Sequence, residues 1–167
     1  MNPSLTNALS HVGADGHARM VDVGAKPVTA RRATAEARVR VSPELRARIA
    51  ENSLAKGSLL DVARLAGIQA AKRTDELIPL CHSLPLDAVD VRVELQDTCV
   101  WIWAEARVTA RTGVEMEALT AVAIAALTVI DMGKAVDKTM VVEGLRILEK
   151  EGGRSGRYVA REDDAPR

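Results

Sequence analysis

Cys81 and His82 stand side by side in an otherwise apolar stretch, LIPLCHSLPL, which covers residues 77–86. Pro79 and Pro85 each remove a backbone N–H donor and restrict the path of the chain. If the prolines hold the dipeptide at the wall of a pocket, the histidine can donate or accept a proton near neutral pH. The alternative is a rigid buried connection in which both side chains only fill space.

No metal site and no cofactor is predicted from these residue types. A zinc ion in a protein usually has four ligands, and the Cys81–His82 pair would supply two of them. Cys99, His11 and His17 do not complete a familiar ligand spacing. The two cysteines also form no CxxC pair, and they are too few for a disulfide framework in a chain of 167 residues.

Charged side chains gather at both ends of a long apolar segment, which predicts a buried helix over about residues 114–136. Glu115 and Glu117 at the amino end suit the helix dipole. Asp131 stands at the carboxyl end, where the dipole disfavours an acid, and Lys134 follows three residues later. Residues with this spacing are neighbours on a helix, so the pair is either an ordinary salt bridge or an acid–base pair.

The length of this predicted helix limits what one subunit can do. Glu117 and Asp131 are fourteen residues apart, which corresponds to about 21 Å in a continuous helix. A small substrate could hardly touch both ends of one copy. If both ends act on one substrate, we expect the pocket to be shared between neighbouring subunits.

Lys56 precedes Gly57 and Ser58 at the predicted start of a further helix. Free amides and the dipole of that helix favour an anion, and the lysine could reach a phosphate. The residue order is not that of a GxxxxGK loop, and an exposed lysine beside a helix break is the alternative. Residues 152–157, GGRSGR, are either a frayed terminus or a flexible basic flap over phosphates.

The composition predicts one globular domain with a core of small side chains. Apolar residues make up 47% of the chain, with no Phe and one Tyr. Basic and acidic residues number 23 each, which argues against a general attraction to nucleic acid or lipid. We see no leader pattern, and the most apolar run, residues 119–130, is shorter than the ~20 residues that span a bilayer. We therefore expect a cytoplasmic protein.

The apolar periodicity predicts the element order strand, two helices, strand, strand, helix, strand. This order is the split βαβ plan of a ferredoxin-like α+β fold, an antiparallel sheet with helices packed on one face. Trp101 and Trp103 share the opposite face, so we expect an oligomer that covers them. Three regions are predicted: a flexible amino-terminal arm (1–30), a ferredoxin-like catalytic domain (31–150) and a Gly/Arg-rich flexible carboxyl-terminal tail (151–167).

Several of these segments together resemble the cyclic pyranopterin monophosphate synthases, the molybdenum-cofactor biosynthesis protein C family. The resemblance covers roughly residues 18–157. The matching segments, in chain order, are ARMVDVGAK, AGIQAAKRT, LIPLCHSLPL, TGVEMEALTA, IDMGKAVDK and GGRSG.

The resemblance implies a ferredoxin-like subunit, a homohexamer built as a trimer of dimers, and active sites at subunit interfaces. It also implies a lyase reaction without membrane or nucleic-acid partners. The cyclic nucleotide (8S)-3′,8-cyclo-7,8-dihydroguanosine 5′-triphosphate would rearrange to cyclic pyranopterin monophosphate and release pyrophosphate. Such a rearrangement moves several protons, so it needs positioned acids and bases.

The resemblance also assigns roles to individual residues. Asp131, Lys134 and Lys56 match the catalytic set. The residues that match substrate binding, or that lie beside it, are Leu80, Cys81, His82, Glu115, Met116, Glu117 and Arg154.

Three positions depart from the pattern of the family. Ser83 stands where proline is common after Cys-His, which weakens the expectation of a rigid loop. Arg154 replaces a frequent lysine and keeps the charge, with a forked set of donors. Gly133 occupies a variable position.

Two other function classes remain open at this level. Ferredoxin-like sheets can stack RNA bases on exposed aromatic rings, and Trp101 with Trp103 is the feature that would serve this. The balanced charge and the lack of a basic aromatic segment count against it. A non-catalytic nucleotide-sensing domain would bind a nucleotide without releasing pyrophosphate, and it would not need Asp131 beside Lys134.

Overall fold

The computed structural model describes residues 16–153 and 156–161. Alternating and amphipathic patterns fold into five strands and four helices within these ranges. Their bounds are β1 Thr29–Arg40, α1 Pro43–Ala50, α2 Leu59–Ala71, α3 Thr74–Leu77, β2 Ala88–Leu95, β3 Cys99–Ala110, α4 Glu115–Gly133, β4 Val141–Glu151 and β5 Tyr158–Val159.

The sheet has the strand order β2-β3-β1-β4-β5, and every neighbouring pair is antiparallel. The three short helices connect β1 to β2, and β3 inserts between these two strands. The helix α4 connects β3 to β4, and β1 inserts between those. Each helical crossover therefore skips one strand, and this confirms the predicted ferredoxin-like α+β fold.

Small side chains on the sheet let α4 approach it closely. Ala33, Ala35 and Ala37 of β1 are fully buried, and so are several alanines and valines of α4. Because β1 lies between β3 and β4, this alanine row runs beneath the long helix, which contacts β1, β3 and β4. A core without Phe is thus packed by bringing backbones together rather than by large rings.

The helix α4 is long and apolar enough to cross a membrane by length and composition alone, but 56% of its most apolar window is buried inside the fold. It packs against α2 on one side and the sheet on another. Its apolar character is therefore accounted for by its position in the core.

The opposite face of the sheet carries charged groups around the two tryptophans, which are half-buried. Trp101 Nε1 donates to Glu36 Oε2 at 3.0 Å, and Arg146 donates to Glu36 Oε1 at 2.9 Å. Burial acts to raise the pKa of Glu36, but these two bonds and the nearby arginine charges outweigh it and lower that pKa. The guanidinium of Arg92 lies 4.7 Å from the centre of the Trp103 ring.

The structure differs from the sequence prediction in several short segments. The first helix ends at Ala50, not near Gly57, because Asn52 adopts a positive φ of 50° and turns the chain. Ser58 occupies the predicted cap position of α2, yet its hydroxyl donates to Asp61 rather than capping the helix. The helix α3 and the strand β5 carry only four and two residues, too few for a periodic pattern.

Gly67 of α2 lies directly against the backbone of α4. A Cβ atom added there would lie 2.9 Å from the backbone oxygen of Ala121 and 3.2 Å from Val91 Cγ1. The backbone oxygen belongs to a buried helix and cannot move independently.

We therefore predict that Gly67→Ala lowers the free energy of unfolding by about 1–2 kcal/mol, because overpacking outweighs the gain in helix propensity. Chemical denaturation at fixed protein concentration measures this change. Gln69→Ala, on the exposed side of the same helix, is the matched control and should leave the midpoint nearly unchanged. Equal midpoints for Gly67→Ala and wild type would contradict this packing.

Candidate active site

Two lysines converge on one carboxylate at the carboxyl end of α4. Lys56 Nζ lies 2.7 Å from Asp131 Oδ2 and 2.9 Å from the Asp131 carbonyl oxygen. Lys134 Nζ lies 2.7 Å from Asp131 Oδ1. We call these three residues the basic cluster.

Local backbone structure brings the basic cluster together from distant parts of the chain. Lys56 sits in the turn before α2, where the Gly57 N–H donates to the Leu54 carbonyl at 3.0 Å. Lys134 is the carboxyl-terminal cap residue of α4, and its N–H donates to Ile130. The ammonium group of Lys56 bonds to Asp131, a contact that the sequence did not predict.

The electrostatics of the basic cluster favour anions. The hydrogen bond from Lys134, followed by that from Lys56, lowers the pKa of Asp131 to about 2. One carboxylate faces two ammonium groups, so the cluster keeps a net positive charge. More than half of each of the Asp131 and Lys134 side chains is exposed. Such a group can orient lysines toward a phosphate or toward a proton acceptor.

A cleft of about 390 Å³ lies at the opposite end of α4. It is open to solvent and combines apolar walls with a few ionisable groups. We call it the Glu117 cleft, after its most buried acid. Its lining residues are Val21, Val23, Lys26, Leu80, Cys81, His82, Leu84, Thr112, Gly113, Glu115, Met116 and Glu117.

The loop between α3 and β2 forms one wall of the cleft and is held by hydrogen bonds. The Cys81 N–H donates to the Ile78 carbonyl at 3.0 Å, and the Ser83 hydroxyl bonds to the carboxylate of Asp75 in α3. This bond ties down the position at which the family pattern commonly has proline. Burial, reinforced by Glu117 and Asp75, raises the pKa of the Cys81 thiol, so the cysteine is held as a neutral thiol.

Residues 21–26 form a second wall, which the sequence interpretation had assigned to the flexible arm. His82 Nε2 lies 2.9 Å from the Val21 carbonyl oxygen and must donate to it, because a carbonyl only accepts. Arg111 Nε donates to the Lys26 carbonyl at 3.2 Å. The remaining nitrogen of His82, Nδ1, is therefore the one left for a ligand. The sequence signal that could have predicted this wall is the segment ARMVDVGAK, which resembles the family near its amino end.

Two acids at the start of α4 differ sharply in their surroundings. Glu115 Oε1 lies 3.3 Å from Lys150 Nζ of β4, and its carboxylate fills the space in which a Cβ atom on Gly113 would lie. Glu117 is only 4% exposed. Burial, followed by the charges of Glu115 and Asp75, raises the pKa of Glu117 to about 7.

The ten residues proposed from the sequence thus fall into two groups and one position outside the described residues. Lys56, Asp131 and Lys134 form the basic cluster, and Arg154 lies outside the described residues. The other six line the Glu117 cleft: Leu80, Cys81, His82, Glu115, Met116 and Glu117. Across residues 16–153 and 156–161, the side chains of His, Cys, Asp and Glu form no group of three that could hold a metal ion.

The two groups lie at opposite ends of one unbroken helix, Glu115–Gly133. Glu117 and Asp131 are fourteen residues apart, which corresponds to about 21 Å along the helix axis. The geometry of one protomer therefore keeps the basic cluster and the Glu117 cleft apart.

Comparison with known proteins identifies the relatives of this chain. The family model described as MoaC family matches residues 20–153. The chain belongs to the MoaC family. A cyclic pyranopterin monophosphate synthase of Thermomicrobium roseum is 57% identical over 161 residues, which are 95% of this chain and 96% of that protein. A protein of the same name from Chloroflexus aurantiacus is 57% identical over 152 residues, 90% of this chain and 93% of its own length.

The extent of the MoaC family match agrees with the extent of the candidate site. It begins at residue 20, immediately before the wall formed by residues 21–26, and it includes the basic cluster. The segment that covers the Glu117 cleft is thus part of the family domain as well as part of the predicted arm.

The raised pKa of Glu117 predicts a pH-dependent change in stability. A folded carboxyl with a pKa of about 7, against 4.5 for an ordinary one, binds more protons in the native state between these values. The free energy of unfolding therefore falls as the pH rises through this window. Glu117→Gln removes the cost of ionisation and should stabilise the protein above pH 7 by about 2 kcal/mol, allowing for partial screening by water in the cleft.

Thermal melting at fixed protein concentration, near pH 5 and pH 8, measures this effect. The melting temperatures of the variant and the wild type should differ more at the higher pH. A difference that is the same at both pH values would contradict the buried neutral acid.

Proposed function

We propose that this MoaC family member is a lyase of molybdenum cofactor biosynthesis. It converts (8S)-3′,8-cyclo-7,8-dihydroguanosine 5′-triphosphate to cyclic pyranopterin monophosphate and releases pyrophosphate in the cytoplasm. The observation that carries the proposal is the 57% identity to named cyclic pyranopterin monophosphate synthases over 90–95% of the chain. Neither relative is matched over only a fragment of its length.

In this proposal the basic cluster performs the proton transfers and stabilises the phosphates. Asp131 stays ionised through the physiological range because Lys134 and Lys56 hold its pKa near 2. It fixes two ammonium groups within 2.7 Å of one carboxylate. Two fixed ammonium groups can donate protons to a rearranging ring and stabilise the charge that develops on departing pyrophosphate.

The Glu117 cleft holds the ring system of the substrate. Its volume of about 390 Å³ and its apolar walls suit a flat heterocycle, and its polar atoms suit the edge of such a ring. Leu80, Cys81 and His82 form one side, and Met116 with Glu117 forms the other. The predicted tail (151–167) would close over the triphosphate through Arg154. The predicted domain (31–150) would be the catalytic body, and residues 21–26 of the predicted arm (1–30) would add one wall of the cleft.

One active site takes its two halves from two protomers. The separation of about 21 Å between Glu117 and Asp131 exceeds the reach of one small substrate within a single chain. A two-fold or three-fold interface can place the cleft of one protomer against the basic cluster of the next. The separation supports interfacial active sites, and the resemblance to the family implies that the oligomer is a homohexamer, a trimer of dimers.

The RNA-binding alternative is not favoured by the sheet surface. Trp101 is bonded to Glu36, and the ring of Trp103 is covered by Arg92. Bases could stack there only after these contacts were broken. The two relatives are named as synthases, which also argues against a domain that only senses a nucleotide.

The catalytic assignment predicts that Lys56→Ala and Lys134→Ala each lower pyrophosphate release from the cyclic nucleotide by at least about a hundredfold, because each removes a proton donor held at the site. A coupled pyrophosphate assay on the purified protein measures turnover. Arg48→Ala, which removes an exposed cation paired with Glu44 on α1, is the control and should retain wild-type turnover. Near-native turnover by either lysine variant would refute the assignment of that residue.

The shared site predicts complementation between two inactive variants. When Lys134→Ala and Glu117→Ala proteins are unfolded, mixed in equal amounts and refolded together, about a quarter of the sites combine an intact cluster with an intact cleft. Pyrophosphate release should therefore recover to about a quarter of the wild-type rate. Recovery should be absent when each variant is refolded alone. If the mixture also stays inactive while refolded wild type is active, the site lies within one protomer.

A further inference from the structure

Asp137 is a buried acid close to the basic cluster but outside it. It lies three residues after Lys134, and only 5% of its surface is exposed. Its Oδ2 accepts a hydrogen bond from the Ser42 N–H at 2.7 Å. Its Oδ1 accepts from the Thr139 N–H at 2.8 Å and from the Thr139 hydroxyl at 2.7 Å. Both oxygens of the carboxylate are thus engaged by groups of the same protomer.

These hydrogen bonds keep Asp137 ionised. The bond from the Thr139 hydroxyl has the largest effect, and together with the N–H groups of Thr139 and Ser42 it lowers the pKa of Asp137, although burial acts in the opposite direction. Hydrogen bonds to a charged group are roughly twice as strong as neutral ones. The carboxylate is therefore a firm connection between the segments that donate to it.

The bond from Ser42 to Asp137 joins the two segments that carry the basic cluster. Ser42 is the cap residue of α1, and the chain runs from α1 through a turn to Lys56. Asp137 follows Lys134 in a turn in which the Asp137 N–H donates to the Gly133 carbonyl at 3.0 Å. The bond connects groups that are 95 positions apart in the sequence.

Packing and turn bonds make the position of Lys56 depend on that of α1. Leu45 of α1 is fully buried, and a Cβ atom on Gly133 would lie 2.7 Å from its Cδ2. The Ser53 N–H donates to the Arg48 carbonyl at 3.0 Å, which holds the turn onto the end of α1. A helix of eight residues is about 12 Å long, so a small tilt at its start displaces Lys56 beyond its other end.

The two ion pairs of the basic cluster differ in their dependence on this contact. Lys134 and Asp131 are three residues apart at the end of one helix, so their pair follows from helix geometry. Lys56 reaches Asp131 from 75 positions away, and half of its side chain is exposed. Its place on the carboxylate therefore depends on how α1 is held against the end of α4.

We propose that Asp137 is a positioning residue for the reaction, and that it acts by holding Lys56 on Asp131. This inference rests on the proposed function, in which Lys56 is one of two proton donors. Asp137 acts through the backbone: its carboxylate fixes the start of α1, and α1 fixes the turn that carries the ammonium group. A misplacement of about 1 Å at a reacting group can cost about a hundredfold in rate.

Asp137→Asn tests this with little change in side-chain size. The amide has one oxygen where the carboxylate has two, so it must place its own N–H against the N–H of Ser42 or that of Thr139. Steady-state pyrophosphate release should show kcat lowered by at least about tenfold and KM within about twofold of wild type, because the cleft at the other end of α4 is unchanged. A wild-type kcat would overturn the inference.

Ser42→Ala is the matched control for lost stability. It removes the hydroxyl that accepts from the Leu45 N–H at 3.3 Å, and it keeps the backbone N–H that donates to Asp137. Loss of this cap should lower the midpoint of chemical denaturation, while kcat and KM stay within about twofold of wild type. A loss of kcat equal to that of Asp137→Asn would show that stability alone is responsible, and the inference would fail.

A double-mutant cycle identifies the group through which Asp137 acts. In a Lys56→Ala background, Asp137→Asn should lower kcat by less than about twofold, because the group that it positions is already absent. A loss as large as in the wild-type background would assign Asp137 some other role and would contradict the inference.

Trace acetylation of lysines, read by mass spectrometry on the full-length oligomer, tests the placement of Lys56 without turnover. Lys72, exposed at the end of α2, is the internal reference. Asp137→Asn should raise the acetylation rate of Lys56 relative to Lys72 by about twofold to fivefold, the range that an exposed ion pair is worth. The rate of Lys134 should stay nearly constant. An unchanged rate of Lys56 would refute the inference.

Thr139→Val is the second variant if Asp137→Asn does not fold. It removes the hydroxyl that donates to Asp137 and keeps the backbone N–H of residue 139. The loss should be smaller and in the same direction, about threefold in kcat at constant KM. Wild-type kcat in this variant would then count against the inference.

The outcomes separate this inference from the proposed function. If wild type turns over, Lys56→Ala does not, and Asp137→Asn retains wild-type kcat, only the inference is refuted. If wild type releases no pyrophosphate from the cyclic nucleotide, the proposed function is refuted, and the acetylation of Lys56 decides by itself whether Asp137 holds that lysine in place.

Discussion

The burial of α4 constrains every other part of the molecule. The middle of this helix is apolar on nearly all sides, so hydration of that segment is unfavourable and it must lie between α2 and the sheet. The charged side chains of the helix lie only near its two ends. The fold therefore produces two separate polar regions along one rigid axis, and their separation is fixed by the helix rise and not by any flexible loop.

Carboxyl groups at the two ends show how surroundings determine chemistry. Asp131 is exposed and bonded to two lysines, and its pKa falls to about 2. Glu117 is buried beside further acids, and its pKa rises to about 7. The first is a permanent anion that organises cations, and the second changes its charge near neutral pH. One helix thus carries two carboxyl groups whose pKa values are shifted in opposite directions.

A third carboxyl group, on the outer face of the sheet, also has a pKa that depends on burial and on hydrogen bonds. Glu36 is as buried as Glu117, with 5% of its surface exposed. Its pKa is nevertheless lowered, because Trp101 and Arg146 donate to it. Buried acids in this protein are therefore charged where the chain supplies donors, and neutral where the chain leaves a cleft.

The sequence by itself determined the fold class and most of the candidate residues. Burial imposes the alternation of apolar residues in the strands and the apolar middle of α4, so both can be recognised in the sequence. The segments that resemble the family pointed to the candidate site residues. Short or irregular elements escaped, because α3, β5 and the wall of residues 21–26 carry no repeating pattern. Only the tertiary structure decided that Lys56 reaches Asp131 across 75 positions of sequence, and that Glu117 is buried beside two further acids. Both depend on packing between distant segments, which the periodicity of the sequence does not encode.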